Sequence, residues 1–360
     1  MMDRFEHGGN IYAHEGVLDY SANLNPLGVP DSVKQALAQS VDSFGVYPDP
    51  HCRALTQAIA QFEGVDAAWV LPTAGATDAI TRVCLAVKPA HALVCAPSYS
   101  GYEQALEQVG ATVEHHALRE EENFQVTARI LNDVDSEIDL VFLANPNNPT
   151  GALLDCDILI DVLDATRRCG AVVVLDECFV DLTSQAGSTE LLGGYDNLVI
   201  VKALTKTFAL AGVRAGYALC CNADLLGRMR ELGQTWAVST PAQVAGIAAL
   251  QERDYVELAK KLVAHERERL VDALESYGMQ VVPGCANFIM FKAPQGGSAP
   301  SSGTPVPSPP SPLYDAMLER GILIRRCENF HGLDGSWYRI AVRAPEENTR
   351  FLVVLQEVFA

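Results

Sequence analysis

The chain has 360 residues, 49% hydrophobic and 20% charged, the balance of a globular protein large enough for roughly two domains. Its formal net charge of −19 argues against nucleic-acid and membrane partners, so an anionic small molecule would have to be held by local arginines against the overall field. No apolar run is long enough to span a bilayer, the first residues carry no signal-type core, and the ten cysteines are scattered without a Cys-x-x-Cys pair; this predicts reduced thiols in a cytoplasmic protein and no metal site.

Before any regular pattern begins, the chain carries His7-Gly8-Gly9-Asn10, then Asp19-Tyr20-Ser21-Ala22-Asn23-Leu24-Asn25-Pro26-Leu27-Gly28, then Tyr47-Pro48-Asp49-Pro50. From about residue 67, short apolar runs at 68–71, 92–96, 112–115, 140–143, 171–175, 198–201 and 216–219 alternate with helical patterns such as 79–87 and 159–167. Runs this short and this continuously apolar predict strands buried on both faces. The expectation is an α/β, doubly wound, mostly parallel seven-stranded domain over residues 26–252. Beyond it, a charged helix at 254–277 and apolar runs at 288–291, 322–324 and 338–342 predict a smaller α+β domain over 253–360, joined by the N-terminal arm 1–25. Residues 294–312 are almost wholly Pro, Gly and Ser; they cannot bury enough apolar surface to offset ordering, and read as a flexible surface loop.

Lys206 follows the run 198–201, and Arg214 comes eight residues later in a small-residue segment. A lysine kept partly neutral forms a Schiff base with an aldehyde, and an arginine fork suits a phosphate. An aldehyde and a phosphate on one cofactor describe pyridoxal 5′-phosphate (PLP). Asp176 ends the most apolar strand, at the carboxyl edge where α/β sheets bind ligands; beside a pyridine nitrogen it would keep that nitrogen protonated. A loop carboxylate or helix cap reads equally well for Asp176 taken alone. Asn148, in Asn145-Pro146-Asn147-Asn148-Pro149, sits in a tightly specified turn after another buried strand. Gly75-Ala76-Thr77 lies between strand and helix, where free amides attract phosphate. Tyr102 follows a strand and could stack on a flat ring, although core packing is the commoner fate of a single tyrosine.

The set Asn148, Asp176, Lys206 and Arg214, in this order and spacing, resembles the fold-type I PLP enzymes of the class I/II aminotransferase superfamily over nearly the whole chain. Tyr47-Pro48-Asp49-Pro50 resembles the histidinol-phosphate aminotransferase branch. The matching tyrosine there reaches the PLP phosphate of the partner subunit, which implies a homodimer with shared active sites. His7-Gly8-Gly9-Asn10, residues 19–28, residues 322–334 and Trp337-Tyr338-Arg339-Ile340-Ala341-Val342-Arg343 resemble the threonine-phosphate decarboxylase branch of cobalamin biosynthesis.

That resemblance implies conversion of O-phospho-L-threonine to (R)-1-aminopropan-2-yl phosphate and CO2. It implies that Lys206 binds the cofactor aldehyde and moves protons, that Asp176 pairs with the pyridine nitrogen, that Asn148 contacts the ring oxygen and that Tyr102 stacks on the ring. Ala76, Thr77, Thr205, Arg214 and Tyr47 are then expected around the cofactor phosphate. Arg339 is expected at the substrate carboxylate, and His7, Asn25 and Arg325 at the substrate phosphate. The chain departs from the superfamily pattern at Phe179, where a tyrosine is usual, at Ala203, where a hydroxyl residue is usual, and at Thr73-Ala74 before the phosphate turn. Three alternatives stay open: transamination of histidinol phosphate with 2-oxoglutarate, decarboxylation of O-phospho-L-serine, and a non-catalytic regulator. The last is disfavoured by the retained Lys206 and the acidic charge.

Overall fold

The structure, a computed structural model, describes residues 7–294 and 312–359. Residues 1–6 of the expected arm and 295–311 of the expected Pro/Ser/Gly loop lie outside the described residues.

The strands in chain order are β1 (Leu18–Asp19), β2 (Val70–Thr73), β3 (His91–Ala96), β4 (Thr112–Ala117), β5 (Leu140–Ala144), β6 (Val172–Asp176), β7 (Leu198–Ala203), β8 (Gly216–Leu219), β9 (Gln280–Val281), β10 (Phe288–Lys292), β11 (Ile322–Leu323), β12 (Arg325–Arg326) and β13 (Trp337–Ala341). Strands β2 to β8 form one seven-stranded sheet in the order β2-β8-β7-β6-β5-β3-β4. Every pairing in it is parallel except the two made by β8. Each of the seven overlaps an apolar run predicted from the sequence. Alternate residues of the central strands feed opposite faces: Val173, Leu175, Leu198 and Ile200 enter one core, Val174, Val199 and Val201 the other. This is the period of two expected of strands covered on both sides.

The helices are set by local chemistry. Asp155 caps the helix Cys156–Cys169 by accepting from the amides of Asp157 (2.8 Å) and Ile158 (3.3 Å), and Gly170 ends it at φ +79°. The helix Ala76–Val87 buries Ala79, Ile80, Val83 and Cys84 on one side against the sheet.

Two predicted strands are displaced. Residues 68–69 form a short 3-10 turn rather than strand, because the Asp66 side chain accepts from the Ala68 amide at 2.9 Å and holds the chain coiled until Val70. The run 322–324 splits: β11 pairs in parallel with β1, whereas β12 pairs with β13 in the four-stranded sheet β12-β13-β10-β9. The N-terminal segment is thereby stitched to the C-terminal part. A third core, around Tyr20, Ile289, Ile340 and Phe351, holds that part together with the 24-residue helix Arg253–Ser276.

Because β3, β5, β6 and β7 are parallel, their carboxyl ends share one edge, and the antiparallel β8 begins there. The segments carrying Gly75, Pro97, Asn148, Asp176 and Lys206 all leave from that edge. The small sheet, with Arg325 and Arg339, closes over it.

Candidate active site

At this edge lies a cleft of about 640 Å³, lined among others by Lys206, Asp176, Asn148, Tyr99, Arg325 and Arg339. Lys206 sits in a single helical turn, Leu204–Thr207. Burial, and then the nearby Arg339, push its ammonium down to about 8; Cys178 and Asp176 oppose the shift, and Arg214 adds to it. A substantial neutral fraction near neutrality is the property an amine nucleophile needs. The Lys206 Nζ lies 5.5 Å from the Phe179 ring centre, which contributes to its dry surroundings.

Asp176 is held by two donors. Tyr102 donates its hydroxyl to Oδ2 at 2.7 Å, and the Cys178 amide donates to Oδ1 at 3.0 Å. The carboxylate is thus fixed in orientation while facing the cleft. Tyr102 also lines the cleft; its buried ring stacks on Phe142 at 4.9 Å, which steadies the hydroxyl that orients Asp176. Tyr99, three residues earlier and only partly buried, lies edge-on to Tyr102 and in the cleft lining. Sequence reasoning passed over it, although Pro97-Ser98-Tyr99 follows a buried strand as closely as Tyr102 does.

The phosphate-type cradle is built from β2, the helix Ala76–Val87 and the start of β8. Gly75 has φ +89°, and a Cβ there would lie 2.9 Å from Arg214 Nη2; a Cβ on Gly216 would lie 2.9 Å from Ala76 N. Backbone and guanidinium therefore approach as closely as only glycine permits. Arg214 itself has φ +62°, an unusual conformation for a residue with a side chain. Thr77, hydrogen-bonded by Tyr99, and Thr205 complete the lining beside the first amides of the helix. Ala203 lines the cleft without a hydroxyl.

Arg339 is 5% exposed and donates to Asn148 Oδ1 and, at 2.8 Å, to the Ser21 carbonyl. With its oxygen occupied, the Asn148 amide is left to act as a donor. Burial pulls the Arg339 guanidinium down to about 10. Across the β12–β13 pair, Arg325 stands directly opposite Arg339, also 5% exposed, with its Nη2 donating to Asn329 at 2.6 Å. His7 lines the same cleft, its ring 5.4 Å from that of Tyr99.

Asn25 is not placed as expected. Its Nδ2 donates to the Thr207 carbonyl at 2.7 Å and its Oδ1 accepts from the Leu27 amide at 2.9 Å, so the side chain is spent on holding the lysine turn and is not among the residues lining the cleft. Asn23, two residues earlier, lines the cleft instead, and its buried Oδ1 has no hydrogen-bond partner among the described residues; the same holds for Arg339 Nε. Buried polar atoms without partners are costly, which marks both as ligand-facing. Tyr47 is 77% exposed and stacks on Trp236, outside the cleft of its own chain. Among the described residues no group of three or more His, Cys, Asp and Glu could hold a metal ion.

Comparison with known proteins followed from this geometry. The family described as aminotransferase class I and II matches residues 15–355. The chain is 33% identical to threonine-phosphate decarboxylase of Salmonella typhimurium, over 98% of this chain and 96% of that protein. The crystal structure of histidinol-phosphate aminotransferase from Clostridium acetobutylicum superposes with a TM-score of 0.85 at 29% identity, covering 95% of this chain and 99% of that one. L-threonine-O-3-phosphate decarboxylase from Porphyromonas gingivalis does so at 0.79 and 26%, covering 94% and 98%.

Proposed function

The chain belongs to the aminotransferase class I and II family, and on that premise we propose that it is a PLP-dependent decarboxylase of O-phospho-L-threonine, yielding (R)-1-aminopropan-2-yl phosphate and CO2 for corrinoid side-chain synthesis. The likeness to threonine-phosphate decarboxylases supports this. The observation that carries it is the pair Arg325 and Arg339. Two buried like charges directly opposite on neighbouring strands repel each other, and they lie in a protein of net charge −19. A substrate with both a carboxylate and a phosphate neutralises the two together.

The residues present fit PLP. The glycine cradle at Gly75 and Gly216, with Ala76, Thr77, Thr205 and Arg214, suits its phosphate; Asp176 suits a protonated pyridine nitrogen; Lys206 suits its aldehyde. When bound, the cofactor supplies the electron sink for the pair released as CO2 leaves. The protein's own share is positional. Asp176, oriented by Tyr102 and the Cys178 amide, holds positive charge on the ring. Asn148 donates to the ring oxygen, without the second donor that a tyrosine at position 179 would give. Tyr102, with Tyr99 beside it in the lining, would cover the ring face. Arg339 would hold the substrate carboxylate and so fix which bond of the substrate is poised to break. Lys206, in its ammonium form, would deliver a proton to the carbon that lost CO2 and be left as the neutral amine. His7, Arg325 and Asn23 hold the phosphate.

The proposal extends to a homodimer in which Tyr47 reaches the partner's cofactor phosphate, consistent with its exposure here. It also extends to a division into residues 26–252 and a smaller unit of 1–25 with 253–360. Side-by-side incubation tests the reading: the PLP-loaded protein with O-phospho-L-threonine alone, and with histidinol phosphate plus 2-oxoglutarate. Turnover confined to the first supports decarboxylation, and turnover confined to the second makes the protein a transaminase. O-phospho-L-serine, lacking one methyl, should be discriminated by only about 1–3 kcal/mol.

A further inference from the structure

Four residues before Lys206, on β7, the strand that leads into its turn, a second lysine is buried. The Lys202 side chain is 4% exposed, and its Nζ lies 2.7 Å from both Glu63 Oε1 and Asp181 Oδ1. Tyr217 donates its hydroxyl to the same Glu63 oxygen. None of these four groups lines the cleft. The two lysines have opposite surroundings. Burial pulls both down, but Asp181, Glu63 and Glu177 outweigh it at Lys202, which is held charged; at Lys206 nothing outweighs it.

A buried ion pair is weak evidence for stability, since well-packed apolar groups of similar volume often do as well; its retention needs another reason. The reason lies in the turn that follows. Leu204–Thr207 is only four residues long, too short for its own hydrogen bonds to fix it. It is held from outside. Thr207 donates its hydroxyl to Asp181 Oδ2 at 3.2 Å, on the carboxylate whose other oxygen binds Lys202. On the opposite side Asn25 donates its backbone amide to the Lys206 carbonyl at 3.1 Å and its side chain to the Thr207 carbonyl.

We propose that Lys202 is a positioning residue for Lys206: through Asp181 and Thr207 it anchors the turn that carries the reactive amine. Glu63 holds Lys202, Lys202 holds Asp181, Asp181 holds Thr207, and Thr207 with Asn25 fixes the direction in which Lys206 projects. The proposal rests on Lys206 being the reactive amine, and not on which substrate is used.

The test uses the full chain without added cofactor. Labelling of Lys206 by a small amine-reactive reagent is followed against pH by peptide mass spectrometry, for the parent, Thr207→Val, Lys202→Met and Lys202→Arg. Thr207→Val removes one hydroxyl at constant shape, and it decides the matter should Lys202→Met fail to fold. The expected result is a displaced labelling profile for Thr207→Val and Lys202→Met, with the parental profile restored by Lys202→Arg. In the loaded enzyme, kcat for Thr207→Val should fall about 10- to 100-fold with KM little changed, the size of effect that small misplacement produces. A parental labelling profile and parental kcat in folded Thr207→Val would overturn the proposal. Because labelling needs neither PLP nor substrate, that result is distinct from a failure of the decarboxylase reading.

Discussion

At the scale of single residues, the proposed chemistry rests on Lys206 and Arg339. Lys206→Ala is expected to abolish turnover and to remove the absorption band that bound PLP gives the parent protein; a band of parental intensity in the variant would remove Lys206 from its role. The depressed Lys206 also fixes a pH dependence. Only the neutral amine attacks an aldehyde, so the rate of PLP capture should rise with pH and level off above about 8. A rate still rising toward the ordinary lysine range would show that burial does not act as described. Arg339→Ala should raise KM for the amino acid by an amount corresponding to roughly 1.5–3 kcal/mol while PLP stays bound; unchanged kinetics would exclude it from the carboxylate site. Lys206, Asp176 and Asn148 were legible because each follows a buried strand at the sheet edge. Tyr102 lines the cleft and also donates to Asp176, whereas Asn25, expected at the substrate phosphate, holds the lysine turn. Side-chain partners more than seventy residues away leave no mark on local sequence, so spacing does not distinguish Asn23 from Asn25.

At the scale of elements, the seven apolar runs located the large sheet because parallel strands covered on both faces have no polar positions to blur the pattern. The short strands were harder. The run at 322–324 carries no signal that the chain changes sheets at Ile324, since its three residues are uniformly apolar and buried. The phosphate cradle is an element-level device in which a turn, a helix start and a strand start meet. Gly75→Ala would place a Cβ 2.9 Å from Arg214 Nη2 in a backbone conformation suited to glycine. PLP dissociation constants measured by fluorescence should therefore increase at least about tenfold, a cost of about 1.4 kcal/mol or more. Thermal unfolding of the cofactor-free protein should move by only a few degrees. Unchanged PLP affinity would show that the cradle does not hold the phosphate.

At the scale of the whole molecule, Val46 is 71% and Tyr47 77% exposed beside a 45% exposed Trp236, and such a cluster of large apolar groups on one chain calls for cover. The proposed homodimer supplies it, and sedimentation should report a dimer whose Tyr47→Ala variant loses PLP faster than the parent; a monomer that retains PLP would contradict shared sites. The net charge of −19 makes the opposed pair Arg325 and Arg339 a local exception, and in the proposed reaction that exception would select a doubly anionic substrate. The most direct measurement is therefore release of CO2 from carboxyl-labelled O-phospho-L-threonine by the PLP-loaded protein with no keto acid present. The account predicts sustained release over many turnovers with equimolar aminopropanol phosphate. Absence of release, alongside amino transfer from histidinol phosphate to 2-oxoglutarate, would contradict it.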